Sequence, residues 1–212
     1  MRTYKNSFKK FGGEWIPDIV EYLKNYVNEH PGVTISVGCD SIQKRRKSIY
    51  ACTIMMHDCD IRRGAHVVFF REAIPKERNI FMRLQKEAEY AHEIANFLDT
   101  ELKDHYKRND LDKFQRQYYK YHIEVCEGRH ENIELHNQDK FISNILLSDY
   151  EESADYKLVD IHLDFNPKLD GGKNKSNMSY LSFVPALRGE GYRVWGKPLG
   201  FAATSAADLL LK

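Results

Sequence analysis

The sequence predicts an α/β fold: a mixed five-stranded sheet flanked by helices, in a single domain with an inserted helical or irregular segment at about residues 105–156. Three observations predict it. Val33–Ser41, VTISVGCDS, is a short apolar, β-branched run bounded by Pro31-Gly32, the pattern of a strand buried on both faces. Two further strand-like runs, Ile49–Met56 and Ala65–Arg71, follow across short polar turns and read as an antiparallel meander. Beyond Glu77 the periodicity becomes helical, and later strands alternate with helices, which calls for crossover connections.

In chain order, residues 1–13 are polar, end in Gly12-Gly13 and read as a loose N-terminal segment. Pro17 opens a helix whose apolar face is Ile16, Ile19, Val20, Leu23, Tyr26 and Val27, and Pro31-Gly32 ends it. The meander comes next, with the basic turn Gln43–Lys47, QKRRK, and the polar turn Asp58–Gly64. QKRRK reads as a solvated hairpin tip or, alternatively, a phosphate contact. The longest periodic segment runs from about Glu77 to Lys107, with Ile80, Leu84, Ala88, Ala91, Ala95 and Leu98 on one face. His105 to Tyr156 is polar and Tyr-rich, with a helix expected near Phe141–Leu147. Leu158–Leu163 is a strand that ends in Asp164. The Gly- and Lys-rich loop Pro167–Lys175 follows, and Ser176-Asn177 can cap the next helix. Tyr192–Gly196 is a short last strand, and Phe201–Leu211 a closing helix.

Composition bounds the function. The chain has 212 residues, 42% of them hydrophobic, enough for a substantial core. Its net charge of +1 neither demands nor excludes a nucleic-acid partner. No apolar run approaches the ~20 residues that span a bilayer, and the opening MRTYKNSFKK lacks the apolar segment of a signal peptide. A cytoplasmic protein without a membrane partner is expected. Cys39, Cys52, Cys59 and Cys126 form no C-x-x-C pair and read as free thiols rather than disulfides or a zinc site.

Three antiparallel strands followed by helix–strand–helix–strand–helix resemble the connectivity of a ribonuclease H-like fold. In that connectivity the Val33–Ser41 and Leu158–Leu163 strands lie side by side, so Asp40 and Asp164 share one end of the sheet. Carboxylates held so close repel unless a proton or a cation intervenes. Mg²⁺ or Mn²⁺ suits such hard oxygen ligands. Glu87 on the long helix and Asp208 on the last would complete a site for two metals about 3.5–4 Å apart, the arrangement that hydrolyses phosphodiesters.

Four segments are similar to the YkuK-like family of small ribonuclease H-like proteins: Ile35–Ser41 (ISVGCDS), Arg83–Ala95 (RLQKEAEYAHEIA), Ile161–Asn166 with Gly171–Ser176 (IHLDFN, GGKNKS), and Lys197–Asp208 (KPLGFAATSAAD). They cover well under half the chain, in the expected order. The resemblance implies a ribonuclease H-like architecture with acidic positions at Asp40, Glu87 and Asp164, and nucleic acid, DNA or RNA, as partner. His105–Tyr156 departs from it as an extra piece.

Competing readings stand beside these. Asp40 and Asp164 could be turn-forming caps. Glu87 competes with Glu89 and Glu93 on a charged helix, and Asp208 could be a solvated terminal acid. Asp160 reads as a structural or surface acid. His162 shares a strand face with Asp164 and reads as a packed, hydrogen-bonded histidine before a proton shuttle. GGKNKS has the wrong order for a P-loop, yet Lys173, Lys175 and Ser176 could meet a phosphate at a helix N-terminus. Tyr-rich Gln115–His122, with Arg116 and Lys120, could stack unpaired bases or pack an interface. The expectation is a metal-dependent nuclease with a two-metal site. The alternatives are a non-catalytic module that binds nucleic acid or protein, and a nucleotide phosphohydrolase.

Overall fold

The computed structural model describes residues 4–31, 33–58, 65–105, 157–166, 175–197 and 200–211. The chain starts with a two-residue strand, β1 (Lys9–Lys10), and helix α1 (Ile19–Glu29). Asp18 caps α1, accepting from the backbone N–H of Val20 at 3.0 Å and Glu21 at 3.3 Å, and Ile19, Val20, Leu23 and Val27 are its buried face. Strands β2 (Val33–Lys44), β3 (Lys47–Asp58) and β4 (His66–Pro75) form the meander. Helix α2 (Ile80–Leu102) is capped by Asn79 and buries Leu84, Ala88, Ala91, Ala95 and Leu98 at three- and four-residue steps. Strand β5 (Asp160–Leu163), helix α3 (Lys175–Gly189) and strand β6 (Val194–Trp195) follow. A π-helical turn, Ala202–Ala207, runs into α4 (Asp208–Leu211).

The sheet order is β1-β4-β3-β2-β5-β6. β2 pairs antiparallel with β3 and parallel with β5, so it is central, and Val33 through Cys39 are all buried. α2 packs on β2 and β5 and against α3, while the π-helical turn packs on β2 and β3. Glycine decides that second contact. A Cβ on Gly38 would stand 2.5 Å from the Ala203 backbone nitrogen and 2.6 Å from the Ala202 carbonyl carbon, so only glycine lets this backbone seat directly on the strand. Thr53, opposite Gly38 on β3, donates to the Ala202 carbonyl at 2.8 Å, and His162 Nδ1 on β5 accepts the Ala202 N–H at 3.0 Å.

Among the described residues the sheet has six strands where the sequence predicts five. The difference is β1, which pairs with β4 through Lys9 and Lys10. The N-terminal segment is not loose: Phe8 is fully buried and Tyr4 nearly so, and Tyr4 donates to Glu93 on α2. A two-residue strand has no alternation to read, and the aromatics of the segment, Tyr4, Phe8 and Phe11, fall at three- and four-residue steps rather than at the alternate positions of a strand. The last helix also differs from the expected α-helix over Phe201–Leu211, because most of it is π-helical. The expected insertion lies outside the described residues except for His105, and so does Gln115–His122.

Candidate active site

β2 carries two functional side chains to opposite faces of the sheet. Asp40 points to the side of Gly38 and the π-helical turn, and Ser41 to the side of α2. β2 and β5 pair from Ser36↔Asp160 to Cys39↔Leu163. The same register carried one residue further sets Asp164 beside Asp40, on chains about 4.8 Å apart. Asp208 arrives from α4 on the Asp40 face, near enough for its charge to act on Asp40. Glu87 reaches the same sheet end from α2, buried, with Oε1 accepting the Ser41 hydroxyl at 2.5 Å.

The acids feel one another. Burial and then the neighbouring Asp164 push the Asp40 carboxyl up to about 6, with Asp208 adding to the rise; the Ser41 backbone N–H on Asp40 Oδ1, at 2.7 Å, and Lys197 work against it. Burial and then Asp40 hold Glu87 well above the ordinary carboxylate range. Asp164 is raised by burial and by Asp208, and lowered by Lys197, whose ammonium lies 3.0 Å from its Oδ1. Lys197 is thus a half-exposed cation at the edge of an acidic cluster. Among the described residues, Glu87 Oε2 is buried without a hydrogen-bond partner, as are the Tyr50 hydroxyl and Arg83 Nε; Arg83 acts electrostatically on Glu87, and Tyr50 feels its charge.

The chemistry of this donor set suits a hard divalent cation. It is all carboxylate oxygen, it is destabilised by mutual repulsion, and one buried oxygen is unsatisfied. As the side chains stand, Lys197 engages Asp164 and Ser41 engages Glu87, and among the described residues no three His, Cys, Asp or Glu side chains are grouped so as to hold a metal ion.

The other candidates resolve differently. His162 is buried and binds the Ala202 N–H, and burial depresses it to about 3, so it is a neutral acceptor that anchors the π-helical turn. Asp160 is buried and structural, accepting from Arg193 Nε at 2.8 Å and Trp195 Nε1 at 3.2 Å. Ser176 Oγ accepts the Asn166 N–H at 3.0 Å, within α3 rather than ahead of it. Lys173 and the side chain of Lys175 lie outside the described residues. Cys39 and Cys52 are buried free thiols on facing strands, with sulfurs 3.3 Å apart. Sequence reasoning missed Ser41 and Lys197. Ser41 had a signal, since its alternation with Asp40 aims it at the helix that carries Glu87. Lys197 had only its place after a short strand.

A family model described as ribonuclease H-like matches residues 16–212. No curated protein and no solved structure matches the chain. Among the described residues, no helix is long and apolar enough to cross a membrane.

Proposed function

Because this chain belongs to the ribonuclease H-like family, that of YkuK, we propose that it is a metal-dependent nuclease hydrolysing nucleic-acid phosphodiester bonds. Membership itself points to nuclease-type or nucleic-acid-related function. The observation that carries the finer reading is the β2–β5 register, which sets Asp40 beside Asp164, so that the charge of one raises the cost of charging the other.

Asp40, Glu87, Asp164 and Asp208 would hold Mg²⁺ or Mn²⁺. Such cations, when bound, supply Lewis acidity toward a phosphoryl oxygen and toward water. The chain's own residues prepare the place. The Ser41 N–H fixes one Asp40 oxygen, leaving the other to turn outward. The Ser41 hydroxyl fixes one Glu87 oxygen and leaves the second for a ligand. Lys197 holds Asp164 in position and carries a positive charge toward an incoming phosphate.

The test is cleavage of labelled RNA, DNA, RNA–DNA hybrid and junction substrates in Mg²⁺ or Mn²⁺ by the parent, Asp40→Asn and Asp164→Asn. Cleavage by the parent that falls at least about a hundredfold in each variant is expected. Absence of cleavage on all four substrates sinks the reading. One observation favours a second reading, a nucleic-acid-binding module that does not cut: Asp164 is already neutralised by Lys197. Binding that persists in Asp40→Asn while no substrate is ever cut would select it.

A further inference from the structure

The β2–β3 hairpin turns on Arg45 and Arg46. Arg45 has φ of 53°, a left-handed backbone in which glycine is the usual residue of a two-residue hairpin. The sequence keeps a guanidinium there instead. Together with Gln43, Lys76 and Arg78, these two arginines line a cleft of about 630 Å³. All four cations are exposed, and no carboxylate among the described residues pairs with any of them.

The cleft is braced. The Lys76 N–H donates to the Arg46 carbonyl at 3.0 Å, the Glu77 N–H donates to Ser48 Oγ at 3.0 Å, and Gln43 Nε2 donates to the Glu77 carbonyl. Glu77, next to Lys76 and Arg78 in the chain, has its carboxylate turned to the Asn79 N–H at 2.8 Å. The first turn of α2, which starts just past Arg78, carries no acid either, so its N–H groups add to the positive field. Four exposed cations around a concave surface with a braced backbone constitute an anion site, and their number suits a chain of phosphates.

Its position connects it with the acids. Arg45, in the turn that follows β2, lies five residues beyond Asp40, at most ~16 Å at the rise of an extended chain, so one short polynucleotide strand can reach both. We infer that the cleft of Arg45, Arg46, Lys76 and Arg78 is a backbone-phosphate subsite that holds a polynucleotide several nucleotides from the Asp40–Asp164 end of the sheet. The inference rests on the nucleic-acid reading above and adds where the strand runs.

The test is fluorescence anisotropy of the full chain with a labelled single-stranded RNA of about 12 nucleotides and its DNA counterpart. A chelator is present, and salt runs from about 50 to about 200 mM. The variant is Arg45→Gly with Arg78→Gln. Glycine suits the Arg45 backbone, so this variant keeps the hairpin. The control removes two charges elsewhere, Lys24→Ala with Lys103→Ala. Affinity about tenfold or more weaker than the control, with the log–log salt slope shallower by about 1.4, is expected for two lost phosphate contacts. Affinity and slope equal to the control's overturn the inference, as does absence of oligonucleotide binding by the parent. Competition by a mononucleotide as effective per phosphate as the oligonucleotide overturns it too, and assigns the cleft to mononucleotides. Cleavage is then measured separately with Mn²⁺ added. A parent that binds through the cleft but never cuts retains the subsite and loses the nuclease. A parent that cuts, with a cleft variant that binds as the control does, retains the nuclease and loses the subsite.

Discussion

Asp40→Asn removes a partly buried negative charge and little else. The Asn oxygen can still accept the Ser41 N–H that Asp40 Oδ1 now accepts at 2.7 Å. The folded carboxyl is raised from 3.8 to about 6. Below about pH 3.8 both folded and unfolded chains keep this proton, and the substitution is close to neutral. Between the two values the unfolded chain binds fewer protons than the folded one, so this group's contribution falls as pH rises and levels off above about 6. A rise of that size corresponds to about 3 kcal/mol, which solvent screening takes toward about 2. Asp40→Asn is therefore expected to be more stable than the parent by about 2 kcal/mol at around pH 7.5 in the absence of metal, the advantage fading toward pH 4. Urea unfolding of both proteins in a chelator, at steps of pH, reads it. His162 makes the difference measurement necessary. Its imidazole is depressed to about 3, so the stability it contributes is present above the ordinary 6.5 and is lost as pH falls, opposite in sign over the same window. The two slopes offset in the parent curve, and the difference removes the His162 contribution, leaving that of Asp40 with its coupling to Glu87 and Asp164. A difference that does not change with pH, or a variant less stable at neutral pH, refutes the electrostatic account of the site.

Gly38→Ala drives a methyl group into the Ala202–Ala203 backbone, and is expected to cost about 1–3 kcal/mol in denaturant unfolding and to speed amide exchange over residues 200–211. Arg193→Met strips the buried Asp160 carboxylate of its guanidinium, and a loss of about 3–5 kcal/mol is expected in the same measurement. Glu87→Gln keeps the acceptor for Ser41 while removing a charge that burial disfavours, so metal-free stability should hold or rise as nuclease activity falls at least about a hundredfold. Lys197→Met should raise the Asp164 pKa further, and the acid limb of any cleavage profile should move to higher pH with it.

The acids came within reach of sequence reading for a physical reason. β2 and β5 are buried strands, so their apolar runs stand out, and right-handed crossovers restrict where a parallel partner can lie. With the ribonuclease H-like connectivity that the order of elements resembles, this set Asp40 against Asp164. Glu87 was harder to read because Glu89 and Glu93 share its helix; what separates it is burial and the Ser41 hydroxyl, both tertiary. Lys197 lies 33 positions beyond Asp164 in the chain, and no local pattern announces their ion pair. The π-helical turn has the composition of an ordinary helix, and its geometry comes from Gly38, Thr53 and His162 on three different strands. β1 is too short to have a period. Only its packing, with Phe8 in the core, shows that it belongs to the sheet.

The central claim is that the acids at the end of β2 and β5 make a divalent-cation site. Calorimetric titration of Mn²⁺ into the parent and into Asp40→Asn with Asp164→Asn tests it most directly. The account predicts millimolar or tighter binding in the parent, abolished in the double variant. Absence of binding in the parent, repeated with a non-cleavable oligonucleotide present to complete the ligand shell, would contradict it.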